Sequence, residues 1–108
     1  MKLITKEIEK KLEKYPLYSQ DGKGDDAVVI AKFFGGSCWS WYATEGNKTE
    51  DGDIEFYGLI VGDYEVGLGY FYLSELEKIK FPPFGLGVER DKWFSGTIAD
   101  AKKDARVA

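Results

Sequence analysis

The chain has 108 residues, the length of one ordinary domain, and its 44% hydrophobic and 16% aromatic residues can fill one core. Charged residues make up 31% of the chain and carry both signs, a composition that excludes intrinsic disorder. The formal net charge is −4 and histidine is absent, which removes the commonest general base and metal ligand.

The first half of the chain predicts one helix followed by a hairpin. Apolar residues recur at four-residue spacing after Thr5, a good N-cap, so a helix is expected from about residue 5 to 14. Pro16 ends it, because the residue before a proline avoids the helical region. Residues 27–34 and 38–45 are rich in β-branched and aromatic residues, and the glycine pair between them predicts a turn.

The second half predicts two more strands and a short helix. Residues 54–61 and 65–73 have strand character and short connections, which favours antiparallel pairing. The segment Ser74-Glu75-Leu76-Glu77 has the pattern of a capping box and predicts a helix that begins there and ends before Phe81-Pro82-Pro83. The expected fold is α+β, a four-stranded antiparallel meander with an N-terminal helix and a short second helix after strand 4.

We expect a single domain, with residues 1–99 as its core and 100–108 as a frayed or helical tail. The first residues lack the pattern of a secretory signal peptide, and no apolar run is long enough to cross a membrane. The single cysteine, Cys38, cannot form an intrachain disulfide and is expected to be a buried, inert thiol. These features predict a cytoplasmic protein with no membrane contact, and they leave its oligomeric state open.

The negative charge belongs to one segment of the chain. Residues 43–77 hold Lys48 alone against nine acidic residues, a net charge of −8, whereas residues 1–14 and 78–108 carry +2 and +3. Phosphate contacts need lysine or arginine, so a nucleic-acid partner is not expected for the acidic segment. That segment is either a solvated hairpin or a surface for a basic protein.

The most concentrated candidate for a binding site is the aromatic block around Trp39, Trp41 and Tyr42, which ends in Glu45. The two-residue period of a strand places Trp39 and Trp41 on one side and Tyr42 on the other. The rings either fill the core or form an exposed patch that marks a binding site. The glycines of strand 4, Gly67 and Gly69, predict that a tryptophan from a neighbouring strand lies across the bare backbone.

Glu89, Arg90 and Asp91 form a second candidate binding site, because an arginine between two acids can clamp a carboxylate or form a surface ion pair. No phosphate-binding or calcium-binding motif is complete, so no catalytic residue, metal site or cofactor is predicted. An enzyme that uses Glu45 or Glu89 for acid-base chemistry is the main alternative to a binding protein. A protein that stacks single-stranded nucleic acid on its aromatic residues is a third alternative, but the acidic balance of the chain disfavours it, so a nucleic-acid partner is not expected.

The order and spacing of several short motifs resemble one bacterial family, domain of unknown function 2958. The resemblance extends from about residue 3 to residue 94, and the chain departs from the family at Gly35-Gly36-Ser37-Cys38. The family is associated with plasmids, phages and conjugative elements, which implies an accessory role in a mobile element, and it has no established catalytic residues. The motifs are Gly22-Lys23-Gly24-Asp25, Ala31-Lys32-Phe33-Phe34, Trp39-Ser40-Trp41-Tyr42-Ala43-Thr44-Glu45, Gly58-Leu59-Ile60-Val61-Gly62, Leu68-Gly69-Tyr70-Phe71 and Val88-Glu89-Arg90-Asp91.

The function expected from the sequence is that of a non-enzymatic binding protein of a bacterial mobile element. Its expected partner is a protein, for instance a component of a host defence system. The partner is expected to contact Trp39, Trp41 or Tyr42, with the acidic hairpin at residues 50–55 alongside.

Overall fold

The computed structural model describes residues 3–106. The last two residues of the expected tail, like the first two of the chain, lie outside this range. The elements in chain order are α1 (Lys6–Lys14), a 3-10 helix (Gly24–Asp26), β1 (Ala31–Gly35), β2 (Trp39–Lys48), β3 (Ile54–Val61), β4 (Val66–Tyr72), α2 (Leu73–Lys78), β5 (Lys80–Phe81), β6 (Leu86–Gly87), β7 (Glu89–Asp91) and α3 (Ile98–Asp104).

The main sheet has five antiparallel strands in the order β4-β3-β2-β1-β7, and β5 pairs with β6 in a separate hairpin. The α+β class and the antiparallel meander of β1 to β4 are confirmed, but the prediction of four strands and two helices is wrong. The additional edge strand β7 has three residues, all charged, so no hydrophobic alternation marks it. The third helix, α3, occupies the segment that was expected to be a tail.

Apolar side chains pack on both faces of the sheet. Helices α1 and α2 cover the first face, where Phe33 and Phe56 are fully buried. Helix α3 covers part of the second face, where Ile98 and Ala101 pack against Tyr42. The expected alternation in β2 is confirmed, because Trp41 belongs to the first core and Tyr42 to the second.

The helix termini are partly as the sequence predicts. The Thr5 side chain accepts a hydrogen bond from the N–H of Ile8, as expected for the N-cap of α1. The capping role predicted for Ser74 is wrong, because Glu75 reaches back to the N–H of Tyr72 and α2 begins one residue earlier. The Ser74 hydroxyl instead donates to Asp53 at 2.6 Å. Within residues 3–106, no helix is long and apolar enough to cross a membrane.

A loop takes the place of a strand beside the second half of β2. Strand β1 begins at Ala31, four residues later than expected, and pairs only with the first half of β2. Beyond that point the N–H of Gly46 donates to the carbonyl of Tyr15, and the buried Gln20 amide donates to the carbonyl of Thr44 at 2.6 Å. On this edge of β2, opposite β3, the N–H of Gly46 and the carbonyl of Thr44 therefore have hydrogen-bond partners without a neighbouring strand.

Aromatic rings cover glycines, although not those that the sequence indicated. Gly67 has no atom within 4 Å of a hypothetical Cβ and Gly69 meets only Ile60, so the predicted tryptophan over strand 4 is wrong. The Trp39 ring lies instead over Gly62, where a Cβ would come within 2.5 Å of the indole. Phe81 covers Gly36, which has a φ of +63° and so favours glycine in the β1–β2 turn.

Candidate functional site

The structure places most of the predicted aromatic block inside the protein. Trp41 is 5% exposed and Tyr42 fully buried, whereas Trp39 is half-buried and stacks on Trp41 with ring centroids 5.7 Å apart. Only Trp39 of these three rings can contact a partner in this conformation. The binding role of the block stays a prediction, and its accessible part is the edge of Trp39.

Glu45 is also buried, and its contacts explain why. Its carboxylate accepts a hydrogen bond from the N–H of Tyr18, a residue in the left-handed conformation with a φ of +72°. Non-glycine residues seldom adopt this conformation, so the bond holds the loop in place beside β2. Glu45 is buried against the backbone of Tyr18, whereas Glu89 is exposed on the edge strand β7.

The Glu89-Arg90-Asp91 motif forms β7 and pairs with β1. The two carboxylate oxygens of Asp91 have different partners. One carboxylate oxygen lies 3.1 Å from the Lys32 ammonium, and the other accepts hydrogen bonds from the N–H groups of Trp93 and Phe94. Asp91 thereby fixes the loop that follows it, whereas Glu89 is exposed on the sheet.

Lys32 joins β1, β7 and α3 through a half-buried ionic network. Its ammonium lies 2.6 Å from the Asp104 carboxylate, which also accepts a hydrogen bond from the Tyr42 hydroxyl at 2.7 Å. Burial alone would lower the pKa of Lys32, but the hydrogen bonds with Asp104 and Asp91 outweigh it and raise the pKa. Burial, together with the bond to Asp104, raises the pKa of Tyr42 to about 12. Since every member of this network has a partner, its evident role is to hold α3 on the sheet.

This network predicts a loss of stability in alkali. A group whose pKa is raised in the folded state contributes stability below its unfolded pKa, and this contribution disappears as the pH rises through the folded value. For Tyr42 that window runs from the ordinary value of 10.0 to about 12. Across it we expect the free energy of unfolding to fall by roughly 2 kcal/mol more in the wild type than in Tyr42→Phe.

Urea denaturation at intervals of pH measures this difference. Tyr64→Phe is the matched control, because Tyr64 is fully exposed, and it should keep the wild-type dependence on pH. Equal slopes for the wild type and Tyr42→Phe would show that burial of the phenol does not control alkaline stability.

Cys38 is exposed, so the expectation of a buried thiol is wrong. It lies in the β1–β2 turn and donates a hydrogen bond to the carboxylate of Asp63. That bond raises the pKa of the thiol, which disfavours the nucleophilic thiolate. Among the described residues, no cluster of acidic and cysteine side chains could hold a metal ion.

One exposed apolar surface was not identified from the sequence. Four alternate residues of the edge strand β4 point to the second face of the sheet, beyond the area that α3 covers, and Tyr18 lies next to them. We call this surface the β4 face. Its residues, each between 36% and 64% exposed, are Tyr18, Val66, Leu68, Tyr70 and Tyr72.

The tyrosines of the β4 face are in contact with one another and with acidic groups. The Tyr70 ring lies 4.8 Å from that of Tyr57, and hydrogen bonding with Tyr18 raises the pKa of Tyr70 to about 12. The nearby charge of Glu55 raises the pKa of Tyr72. The β4 face is therefore an apolar and phenolic surface with an acidic margin.

A cleft of about 520 Å³ lies at the opposite edge of the sheet, between α1 and the loop of residues 92–95. Trp93 projects from this loop and is 90% exposed. The cleft contains residues of the predicted Glu89-Arg90-Asp91 site and brings them next to α1, an arrangement that the sequence did not indicate.

Residues 3–103 match the family described as a protein of unknown function, DUF2958. The chain belongs to this family. The match covers nearly the whole chain and confirms the resemblance stated above. Searches of curated proteins and of solved structures found no match to the chain. Membership of DUF2958 assigns no chemistry to the chain.

Proposed function

We propose that this DUF2958 protein is a non-enzymatic binding protein and that it recognises another protein through the β4 face. We also propose, from the context of the family, that it acts in the cytoplasm as an accessory protein of a bacterial mobile element. Its partner would then be a host protein, such as a component of a defence system. The observation that supports protein binding is the row of exposed apolar side chains on the edge strand β4.

The composition of the β4 face suits a protein interface. Tyrosine is enriched at such interfaces because it buries a large apolar ring and keeps a polar group for hydrogen bonding. Leu68, at the centre of the row, is 57% exposed and pairs across the sheet with the buried Leu59. A partner that covers this row would extend the second core, which α3 leaves open on the β4 side.

The free edge of β4 offers backbone groups beside these side chains. The N–H of Gly62 donates to the carbonyl of Glu65 at the turn, so the hydrogen-bonded pairs that follow are Ile60 with Gly67 and Gly58 with Gly69. In an antiparallel pair, hydrogen-bonded and non-hydrogen-bonded residue pairs alternate. Leu68 lies between Gly67 and Gly69, so its N–H and C=O groups point away from the sheet. An extended segment of the partner can pair with this edge.

The charge around the β4 face favours a basic partner. Glu55, Glu75 and Asp53 lie near Tyr72, and Asp21 lies near Tyr70. A second copy of the chain would bring the same acidic groups together, which costs energy. We therefore propose that the occupant is an extended segment rich in lysine or arginine with apolar residues at alternate positions.

Replacing Leu68 by lysine tests the proposal. The change removes a central apolar contact and repels a basic partner, so we expect affinity to fall about 30-fold or more. Capture from host cytoplasm with the wild-type protein supplies candidate partners, and each is then purified for measurement of its Kd by calorimetry. A photo-crosslinking residue at position 68 should attach to the same partner.

Phe84→Lys is the matched control, since Phe84 is 83% exposed in the turn between β5 and β6, outside the β4 face. It adds the same charge and should retain the partner at low salt. A partner that binds Leu68→Lys as tightly as the wild type would contradict the proposed surface. Circular dichroism of both variants separates a loss of binding from a loss of folding.

A further inference from the structure

We propose that the cleft between α1 and the loop of residues 92–95 binds a nucleotide, with its base stacked on Trp93 and its phosphate next to Lys11 and Lys92. This goes beyond the protein-binding role, because the cleft and the β4 face lie at opposite edges of the sheet. The inference combines three features of the described residues: the exposed tryptophan, the excess of basic side chains and the concave shape.

Trp93 is held in an exposed position by the structure around it. The N–H groups of Trp93 and Phe94 both donate to Asp91, at 2.8 and 3.0 Å, and Asp91 is itself paired with Lys32. On the other side of the loop, Phe94 packs edge-on against Tyr42 with ring centroids 5.3 Å apart. The loop is thus fixed at Asp91 and at Phe94, yet the indole between them remains 90% exposed.

An exposed ring on an ordered loop is a suitable stacking platform. Every base has an aromatic face, and stacking on a tryptophan is worth about 1–3 kcal/mol per base. The ring also costs little conformational entropy on binding, because the backbone hydrogen bonds already define the loop. Trp93 is therefore the group that would contact the flat part of a ligand.

The charge of the cleft is opposite to that of the whole chain. The two basic segments, residues 1–14 and 78–108, meet here, although the chain carries −4. Four basic residues, Lys11, Lys32, Arg90 and Lys92, line the cleft together with two acidic residues, Glu7 and Asp91. Lys32 is already paired with Asp91 and Asp104, and Lys11 lies 3.6 Å from Glu7 in an exposed ion pair. A ligand phosphate would therefore be attracted by the exposed Lys92 and, in competition with Glu7, by Lys11.

The size of the cleft fits one nucleotide. Its volume, about 520 Å³, lies within the range of roughly 300–1,000 Å³ that is typical of small-molecule sites. Residues 29–32 line the cleft at the start of β1. The pairing of β1 with β7 ends at this point. The ligand can be a free nucleotide or the end of a nucleic-acid strand, since both present a base and a phosphate.

Titration of the full-length protein with adenosine 5′-monophosphate tests this proposal. The indole N–H signals in NMR spectra report on the three tryptophans separately, and that of Trp93 is assigned from Trp93→Phe. We expect the Trp93 signal to shift with a Kd of about 1 mM or tighter. Trp93→Ala has no indole signal at this position, so its binding is followed through the backbone amide signals of residues 92–95. It should bind about 10-fold more weakly, and because the ring is exposed the variant should remain folded. Lys92→Ala should weaken it as well, whereas Lys78→Ala, on the surface of α2 next to Asp53, should not.

Two simpler probes define the outcomes that would overturn the proposal. Adenosine bound as tightly as the monophosphate would rule out a phosphate contact, and inorganic phosphate bound as tightly would rule out stacking. A Trp93 signal that does not move at about 10 mM adenosine 5′-monophosphate would rule out the site. Tighter binding of a 5′-phosphorylated oligodeoxyadenylate would identify a strand end as the source of the ligand, and weaker binding would identify the free nucleotide.

Discussion

Replacing Phe56 by alanine is expected to lower the free energy of unfolding by about 3–5 kcal/mol. The ring is fully buried in the first core and packs between Phe33 and Phe71, with centroid distances of 5.7 and 5.4 Å. Removing it leaves a cavity among aromatic rings that cannot all move to fill it. A domain of this size is stable by only about 5–15 kcal/mol, so the variant loses a large share of its stability.

Urea denaturation followed by tryptophan fluorescence measures the effect. Phe84→Ala is the matched control, because Phe84 is 83% exposed in the turn between β5 and β6, and it should change stability by less than about 0.5 kcal/mol. If Phe56→Ala were as stable as Phe84→Ala, the three rings could not form the central contact of the first core.

Replacing Gly58 by alanine is expected to destabilise the protein by about 3 kcal/mol or more. A Cβ at this position would overlap the carbonyl oxygen of Tyr42 and come within 2.9 Å of the Cα of Ala43. Both obstacles are backbone atoms of the neighbouring strand, so the methyl group can be accommodated only if β2 and β3 separate. The site lies next to the irregularity between Ala43 and Glu45, where the register of the two strands shifts.

Gly67→Ala makes the same chemical change on the next strand, β4, and is the control. No atom lies within 4 Å of its Cβ, and alanine restricts the unfolded chain more than glycine does, so the stability should be unchanged or slightly higher. Thermal unfolding of the two variants side by side measures the difference. Similar melting temperatures would contradict the close approach of β2 and β3 at Gly58.

Local patterns in the sequence predicted the elements that form the sheet meander and the first helix. Strand β3 occupies residues 54–61 as expected, and α1 begins after Thr5 and ends before Pro16, because capping, periodicity and proline chemistry act within a few residues. The error at Ser74 has a different cause. A serine two residues further along offered the same pattern, but in the fold its hydroxyl donates to Asp53, the residue before β3.

The position of the binding surfaces depended on long-range contacts that a single sequence does not show. The aromatic block is the most conspicuous pattern in the chain, yet α1 and α2 cover its first face and α3 packs against Tyr42 on the other. The alternation of Val66, Leu68, Tyr70 and Tyr72 is visible in the sequence, but only the fold shows that these four side chains are exposed. Similarly, the exposed position of Trp93 depends on the contacts of Asp91 and Phe94 that fix its loop.

The strand order has a consequence for how the two proposed surfaces relate to each other. Strands β4 and β7 form the two outer edges of one sheet and are separated by four strand spacings, or roughly 19 Å. A protein on β4 and a nucleotide beside β7 would not touch, so both can be bound at the same time. The sheet would then act as a rigid spacer that holds the two ligands at a constant separation. Substitutions at one edge would not alter what the other edge binds.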